Sequence, residues 1–206
     1  MAHLMSFPII ILAAGQSRRM RGRDKLLEEI DGVPLLRRQA QMARAVTDGK
    51  VIVALPPAPH PRYDALSGLQ VTTLAVADAD EGMNASLRAA IMALPAGTKC
   101  AMVLLADLPD LTADDLITVA QSVDLKTQQL IWRGATQDGA AGHPIVFKAD
   151  VFAELAALRG DSGGREVVAA HQDQIVLVPL PGTRARGDLD TPEQWAIWRT
   201  SRQDPP

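Results

Sequence analysis

The sequence predicts an α/β fold of three layers around a mostly parallel central sheet, and three observations predict it. Short apolar runs rich in β-branched residues recur along the chain, as the buried strands of parallel sheets do. Segments with helical spacing of apolar residues separate those runs, and strands alternating with helices imply crossover connections. The composition is 47% hydrophobic but only 3% aromatic, so the core is aliphatic.

Taken in order, Pro8 to Leu12 is the first buried run, and a loop rich in Gly and Arg follows from Ala13 to Lys25. Pro34 sits where a first helical turn tolerates proline, ahead of Leu35, Leu36, Met42, Ala43 and Val46. Val51 to Leu55 is a second strand, stopped by Pro56-Pro57-Ala58-Pro59. Gln70 to Ala75 is a third strand, and Asn84 caps a helix that runs to Leu94. Cys100 to Ala106 is a fourth strand ending at Asp107, and Thr112-Ala113-Asp114-Asp115 opens a helix as a capping box.

Beyond Val123 the order is less regular. Gln129 to Arg133 and Pro144 to Lys148 read as strands, Asp150 to Leu158 and Gly164 to Ala170 as helices, and Ile175 to Val178 as the last strand. Thr191-Pro192-Glu193-Gln194 starts a terminal helix, and the tail from about Arg202 is expected to be disordered. With no repeat and no long linker, residues 1–206 are expected to form one domain.

The net charge of −3 gives no global pull toward nucleic acid or anionic membranes. The apolar run Pro8 to Ala14 is too short to span a bilayer and lacks the basic lead of a secretory signal. One cysteine, Cys100, cannot form an internal disulfide and reads as a buried, unreactive thiol in a reducing compartment. The cytoplasm is the expected location.

Positive charge is concentrated: Arg18, Arg19, Arg21, Arg23 and Lys25 place five cations in eight residues. Ligands of parallel sheets bind outside the carboxyl ends of the strands, and two chemical features lie there, this loop and Asp107. Ala13, Ala14 and Gly15 are small enough for close backbone approach to phosphate oxygens, and Arg18 and Lys25 supply compensating charge. The bland alternative is a solvated basic loop, and Arg19, Arg21 and Arg23 read equally well as surface charges. The dinucleotide fingerprint and the P-loop pattern are both absent. Asp107 suits a hard cation such as magnesium, or equally the cap of the turn Pro109 to Thr112. A phosphorylatable receiver domain fails on charge, because its acidic cluster would have to stand where Ala13-Ala14-Gly15 stands.

The loop, with Leu-Ala-Ala-Gly, Ser17, Arg18, Met20 and Asp24-Lys25-Leu26-Leu27 in step, resembles the signature of the MobA-like nucleotidyltransferases. It is most similar to that of the molybdenum cofactor cytidylyltransferases. The resemblance continues through Gly82 to Arg88, Leu105 to Pro109, Gly142-His143-Pro144, Gly160 to Arg165 and Asp188 to Pro192. Two residues depart from the family pattern: Arg21 where glycine is usual, and Ala77 where asparagine is common.

The resemblance implies a Rossmann-like nucleotidyltransferase fold and transfer of a nucleotide from a nucleoside triphosphate to molybdopterin or its molybdenum-bearing form. CTP is the implied donor, since Leu-Ala-Ala-Gly loops go with cytidylyl transfer and Leu-Ala-Gly-Gly loops with guanylyl transfer from GTP. Leu12, Ala13, Ala14, Gly15, Ser17, Arg18, Lys25, Asn84 and Ser86 are the implied nucleotide contacts. His143, in a poor place for a core histidine, is an acceptor contact or a turn residue. Asp107, with Asp188 favoured over Asp190, which precedes the Thr191 cap and reads also as electrostatic support of that helix start, would hold Mg2+ or Mn2+. A molybdoenzyme client is a further implied partner. The rival readings are guanylyl transfer in the same pathway, transfer to another small phosphate ester, and a non-catalytic nucleotide or cofactor carrier.

Overall fold

The computed structural model describes residues 5–203. β1 (Ile9–Leu12) is followed by a small antiparallel pair, β2 (Glu29–Ile30) and β3 (Val33–Pro34), and by α1 (Leu35–Val46) and β4 (Val51–Leu55). Next come α2 (Pro61–Ala65), β5 (Thr72–Ala75), α3 (Met83–Met92), β6 (Cys100–Leu105) and α4 (Ala113–Gln121). The second half contains β7 (Ile131–Ala135), β8 (Ala141–Lys148), α5 (Phe152–Ala157), α6 (Arg165–Ala170), β9 (Ile175–Pro179) and α7 (Pro192–Gln203).

Seven strands form one sheet in the order β5-β4-β1-β6-β8-β7-β9. All neighbours run parallel except β8, which is antiparallel to both β6 and β7. The unbroken apolar runs of β1 and β4 are buried along their whole length, because helices cover both faces. On one face Ile9, Ile11, Val53 and Met102 pack with Leu35 and Leu36 of α1, Leu116 of α4 and Trp195 of α7. On the other, Ile10, Leu12, Ala54 and Val103 pack with Leu87 and Ile91 of α3, Leu155 of α5 and Val167 of α6. Each such aliphatic side chain contributes about 1.5–3 kcal/mol on burial, which places β1 and β6 at the centre and their carboxyl ends side by side.

Local signals land where expected at two helix starts. Thr112 and Asp115 exchange the two hydrogen bonds of a capping box, and Gln194 and Thr191 do the same at α7. Three details differ. Pro34 precedes α1 instead of occupying its first turn. α3 begins one residue before Asn84, with Gly82 at the cap, because a φ of 121° there suits glycine and leaves Asn84 inside the first turn. α7 continues through Arg202 to Gln203, where Arg202 pairs with Asp31 and lies over the Trp198 ring; the remainder of the expected disordered tail, residues 204–206, lies outside the described residues. Cys100 is buried, and burial pushes its thiol up to about 11.

Candidate nucleotide and metal site

The basic loop is held from below by a residue that sequence reasoning overlooked. Arg62, on α2, is buried at 1% exposure. Its guanidinium donates to the Ala13 carbonyl at 2.5 Å, to Ser17 Oγ at 3.1 Å, and to both carboxylate oxygens of Asp24 at 2.7 and 2.8 Å. Asp24 also accepts from the Leu26 amide. Burial works against the charged carboxylate, but the Arg62 bonds prevail and hold Asp24 below its ordinary range. The two ends of the loop are thereby joined.

Between them Arg18–Met20 forms a single 3₁₀ turn flanked by Ser17 and Arg21, both left-handed at φ 51° and 52°. Arg21 thus takes the conformation for which the family pattern keeps glycine. Met20 and Leu26 are buried in the core, so the loop is anchored as well as exposed. Arg21 and Arg23 turn outward to Glu193 and Glu28. These two are surface charges.

Above the loop lies a pocket lined by Leu12, Ala13, Ala14, Gly15, Ser17, Arg18, Lys25, Ser86 and Asp107, together with Asp190 and Asp161. Lys25 is its electrostatic centre. Its ammonium bonds Asp107 and, at 2.6 Å, Asp190, while Arg19 reaches Asp190 at 2.5 Å. Burial alone would favour neutral Lys25, yet the two carboxylates outweigh it and raise its pKa. Asp190 is lowered for the converse reason: Lys25 and Arg19 overcome the burial that would raise it. Exposed Asp188 is raised, first by burial of its carboxyl and then by the neighbouring Asp190 and Asp107. The Leu189 amide donates to the Asp107 carbonyl, and this is what brings the chain at 188–190 to the end of β6.

Most of the expected contacts meet here, but three do not. Asn84 is fully buried; its amide donates to the Arg159 carbonyl and Ser162 Oγ and accepts from Gly164 N. It braces the segment over α3 and does not line the pocket. Asp188 does not line it either. Asp190 does, and its backbone, not its carboxylate, takes part in the α7 cap by donating to Gln194 Oε1. His143 stands on β8 beyond Asp107, outside the pocket lining. Asp161 does not pair with Arg165; its carboxylate accepts from Met83 N at the start of α3. Arg88 pairs with Glu81 at the edge of the pocket and does not itself line it.

The residues fit a divalent cation on one specific observation: Asp107, which lines the pocket, has a buried carboxylate oxygen, Oδ1, with no hydrogen-bond partner among the described residues. Among the described residues no group of three or more His, Cys, Asp or Glu side chains forms a metal site by itself. One or two carboxylates completed by phosphate oxygens and water is the usual magnesium arrangement.

The family model of the MobA-like NTP transferase domain matches residues 9–175. The chain belongs to the MobA-like nucleotidyltransferase family. A MobA-like relative from Synechococcus elongatus, named a probable molybdenum cofactor guanylyltransferase, is 39% identical over 123 residues, 59% of this chain. The matched stretch spans 60% of that relative's length. A protein of the same name from Natronomonas pharaonis is 27% identical over 89% of this chain and 92% of its own. Among solved structures, Rv0371c from Mycobacterium tuberculosis superposes with a TM-score of 0.78 at 26% identity, covering 96% of this chain and 100% of that one. Rv0371c has also been solved in complex with manganese, where the identity is 25%.

Proposed function

We propose that this MobA-like protein transfers a nucleoside monophosphate to the phosphate of a molybdopterin-type acceptor. An acceptor phosphate oxygen attacks the α-phosphorus, the bond from that phosphorus to the bridging oxygen breaks, and pyrophosphate leaves. The observation that carries the reading is the meeting of Lys25, Asp107 and Asp190 at the mouth of a small-residue loop. A pure binding protein would gain nothing from a buried, unpartnered carboxylate oxygen beside the phosphates.

Positioning and electrostatics are the protein's main contributions to phosphoryl-type transfer. The amides near Ala14 and Gly15 cradle the triphosphate, and Lys25 neutralises it. Arg18, exposed at the rim and bonded among the described residues to Gln16 alone, is placed to meet the departing pyrophosphate. The acceptor phosphate is already anionic, so no general base is needed. Asp107 and Asp190 are the carboxylates that would hold magnesium or manganese, with Asp188 beside them. When bound there, the ion supplies Lewis-acid charge neutralisation at the α-phosphate.

GTP is the donor supported by the names of the curated relatives. CTP is the second reading and rests on Ala14, which lines the pocket at 3% exposure; its methyl group occupies space that glycine would leave to a two-ring base. Cytoplasmic location is likewise proposed, on the buried lone thiol. Among the described residues no helix is long and apolar enough to cross a membrane.

The test is pyrophosphate release with molybdopterin, magnesium and GTP, CTP or ATP in competition, followed by the same series with Ala14→Gly. Preference for GTP supports the first donor, and preference for CTP that reverses with Ala14→Gly supports the second. If no triphosphate yields pyrophosphate or a dinucleotide product, the transferase reading fails.

A further inference from the structure

Beyond Asp107 the sheet carries a second concentration of positive charge, away from the loop. Val103, Ile145 and Arg133 stand in one row across β6, β8 and β7. Val103 and Ile145 pack against the α3 side of the sheet, so Arg133 projects from the face that the nucleotide pocket uses. Its guanidinium donates to the Gly142 carbonyl at 3.1–3.2 Å, which turns it toward the start of β8 and His143.

The chain at 185–189 closes this corner. The His143 amide donates to the Ala185 carbonyl at 2.8 Å, and the Leu189 amide to the Asp107 carbonyl at 3.1 Å. Gly142 is obligatory here, because a Cβ would stand 2.1 Å from the Ala185 carbonyl oxygen. Arg186 therefore enters the corner next to Arg133, and four residues at most about 14 Å long separate the corner from Asp107.

Like charges are brought together in this corner, where the acid close to Arg186 is Asp138, which the Arg186 charge helps to hold below its ordinary range. Among the described residues neither Arg133 nor Arg186 makes an ion pair, whereas neighbouring Arg184 pairs with Asp115. Burial, and then the Arg186 charge, press the Arg133 guanidinium below its ordinary pKa. His143 Nδ1 is buried with no hydrogen-bond partner among the described residues. Arg133 donates to a carbonyl and Arg186 is exposed, so both guanidiniums can take an anion, and a phosphate monoester fits their fork geometry.

We infer that Arg133 and Arg186, with His143 beside them, form the subsite that binds the phosphate ester of the acceptor, on the far side of Asp107 from the loop. This rests on the transfer reading above. It accounts for two substrates that both carry phosphate: Lys25 and the loop take the triphosphate, and the arginine pair takes the ester and faces it toward the α-phosphorus.

The test uses the full chain with Arg186→Gln, an exposed position with no side-chain bond among the described residues, and Arg133→Gln, with melting curves for both. KM for molybdopterin should rise at least tenfold in each variant, with KM for the nucleoside triphosphate within twofold. Independently, calorimetry with inorganic phosphate, on protein saturated with magnesium and a non-hydrolysable triphosphate, should show binding that either substitution abolishes. Transfer by the unmodified protein with unchanged acceptor KM in Arg186→Gln overturns the subsite and leaves the transferase reading standing. No transfer to molybdopterin, with arginine-dependent phosphate binding retained, does the reverse. Phosphate binding indifferent to both substitutions also overturns the subsite.

Discussion

Arg62 and Asp24, 38 residues apart, form the ion pair that closes the nucleotide loop: both Asp24 oxygens receive bonds from one guanidinium that is itself 1% exposed. The same guanidinium reaches Ala13 and Ser17, so one side chain ties the strand end, the middle and the exit of the loop. Breaking a buried pair from one side strands the other charge.

Arg62→Met is accordingly expected to cost about 3 kcal/mol or more and to weaken triphosphate binding, although Arg62 does not itself line the pocket. Urea melts at pH 7 measure the first effect. The pH dependence follows from the lowered Asp24 pKa: the stabilisation is full above the ordinary value of 3.8 and is lost as pH falls through the folded value. The gap between wild type and Arg62→Met should narrow in acid. A variant that melts like wild type at every pH would show the pair to be energetically idle.

Lys25→Ala should lower turnover at least tenfold, about 1.4 kcal/mol of transition-state stabilisation. Removing the ammonium leaves Asp107, Asp188 and Asp190 facing one another, so the melting temperature should fall at neutral pH. Because the Lys25 pKa is raised, its stabilising contribution is present below the ordinary value of 10.5 and disappears only as pH rises through the folded value. Arg18→Ala, by contrast, should slow turnover and leave the melting temperature unchanged. Calorimetric scans of both variants distinguish them.

The carboxylates are separable by magnesium titration. Asp107→Asn and Asp190→Asn should each raise the magnesium needed for half-maximal rate at least tenfold, and Asp188→Asn should do so less, because its carboxylate is off the pocket lining. Electron paramagnetic resonance of manganese in the presence of triphosphate provides a direct count of binding. An Asp107→Asn protein that keeps its magnesium dependence and merely melts earlier would return Asp107 to a turn-capping role.

His143 is pushed down to about 4, chiefly by burial and secondarily by the Arg133 charge. It is therefore neutral in the folded protein across the physiological range. The unfolded chain takes up its proton near 6.5, so His143 subtracts stability as pH falls from about 6.5 toward 4. Replacing it with Gln should flatten the stability curve over that interval, and should not move any rate-determining pKa above 6. Denaturant melts and rate profiles from pH 4 to 8 check both halves.

The central strands, the capping boxes at Thr112 and Thr191, and the clustering of Ala13 to Lys25 with Asp107 were legible in the sequence. Each is a short-range pattern: a run of apolar residues demands burial on both faces, and a cap is satisfied within four residues. The sequence favoured Asp188 over Asp190, whereas it is Asp190 that lines the pocket. An aspartate just before a helix cap reads as support for the helix start, and its carboxylate is turned to Lys25 and Arg19 only in the folded chain.

What tertiary structure alone decided are the pairings between distant segments. Lys25 and Asp190 are 165 residues apart, and Asn84 and Ser162 are 78 apart; no periodicity links such positions. Arg62 follows a proline-rich stretch that signals only a loop, and its burial becomes tolerable once Asp24 and the Ala13 carbonyl are folded against it. A charged group's partner is chosen by proximity in three dimensions, whereas an apolar residue needs only to leave water. That is why the sequence determined the layers and the place of the site, and the fold determined which of its charges meet.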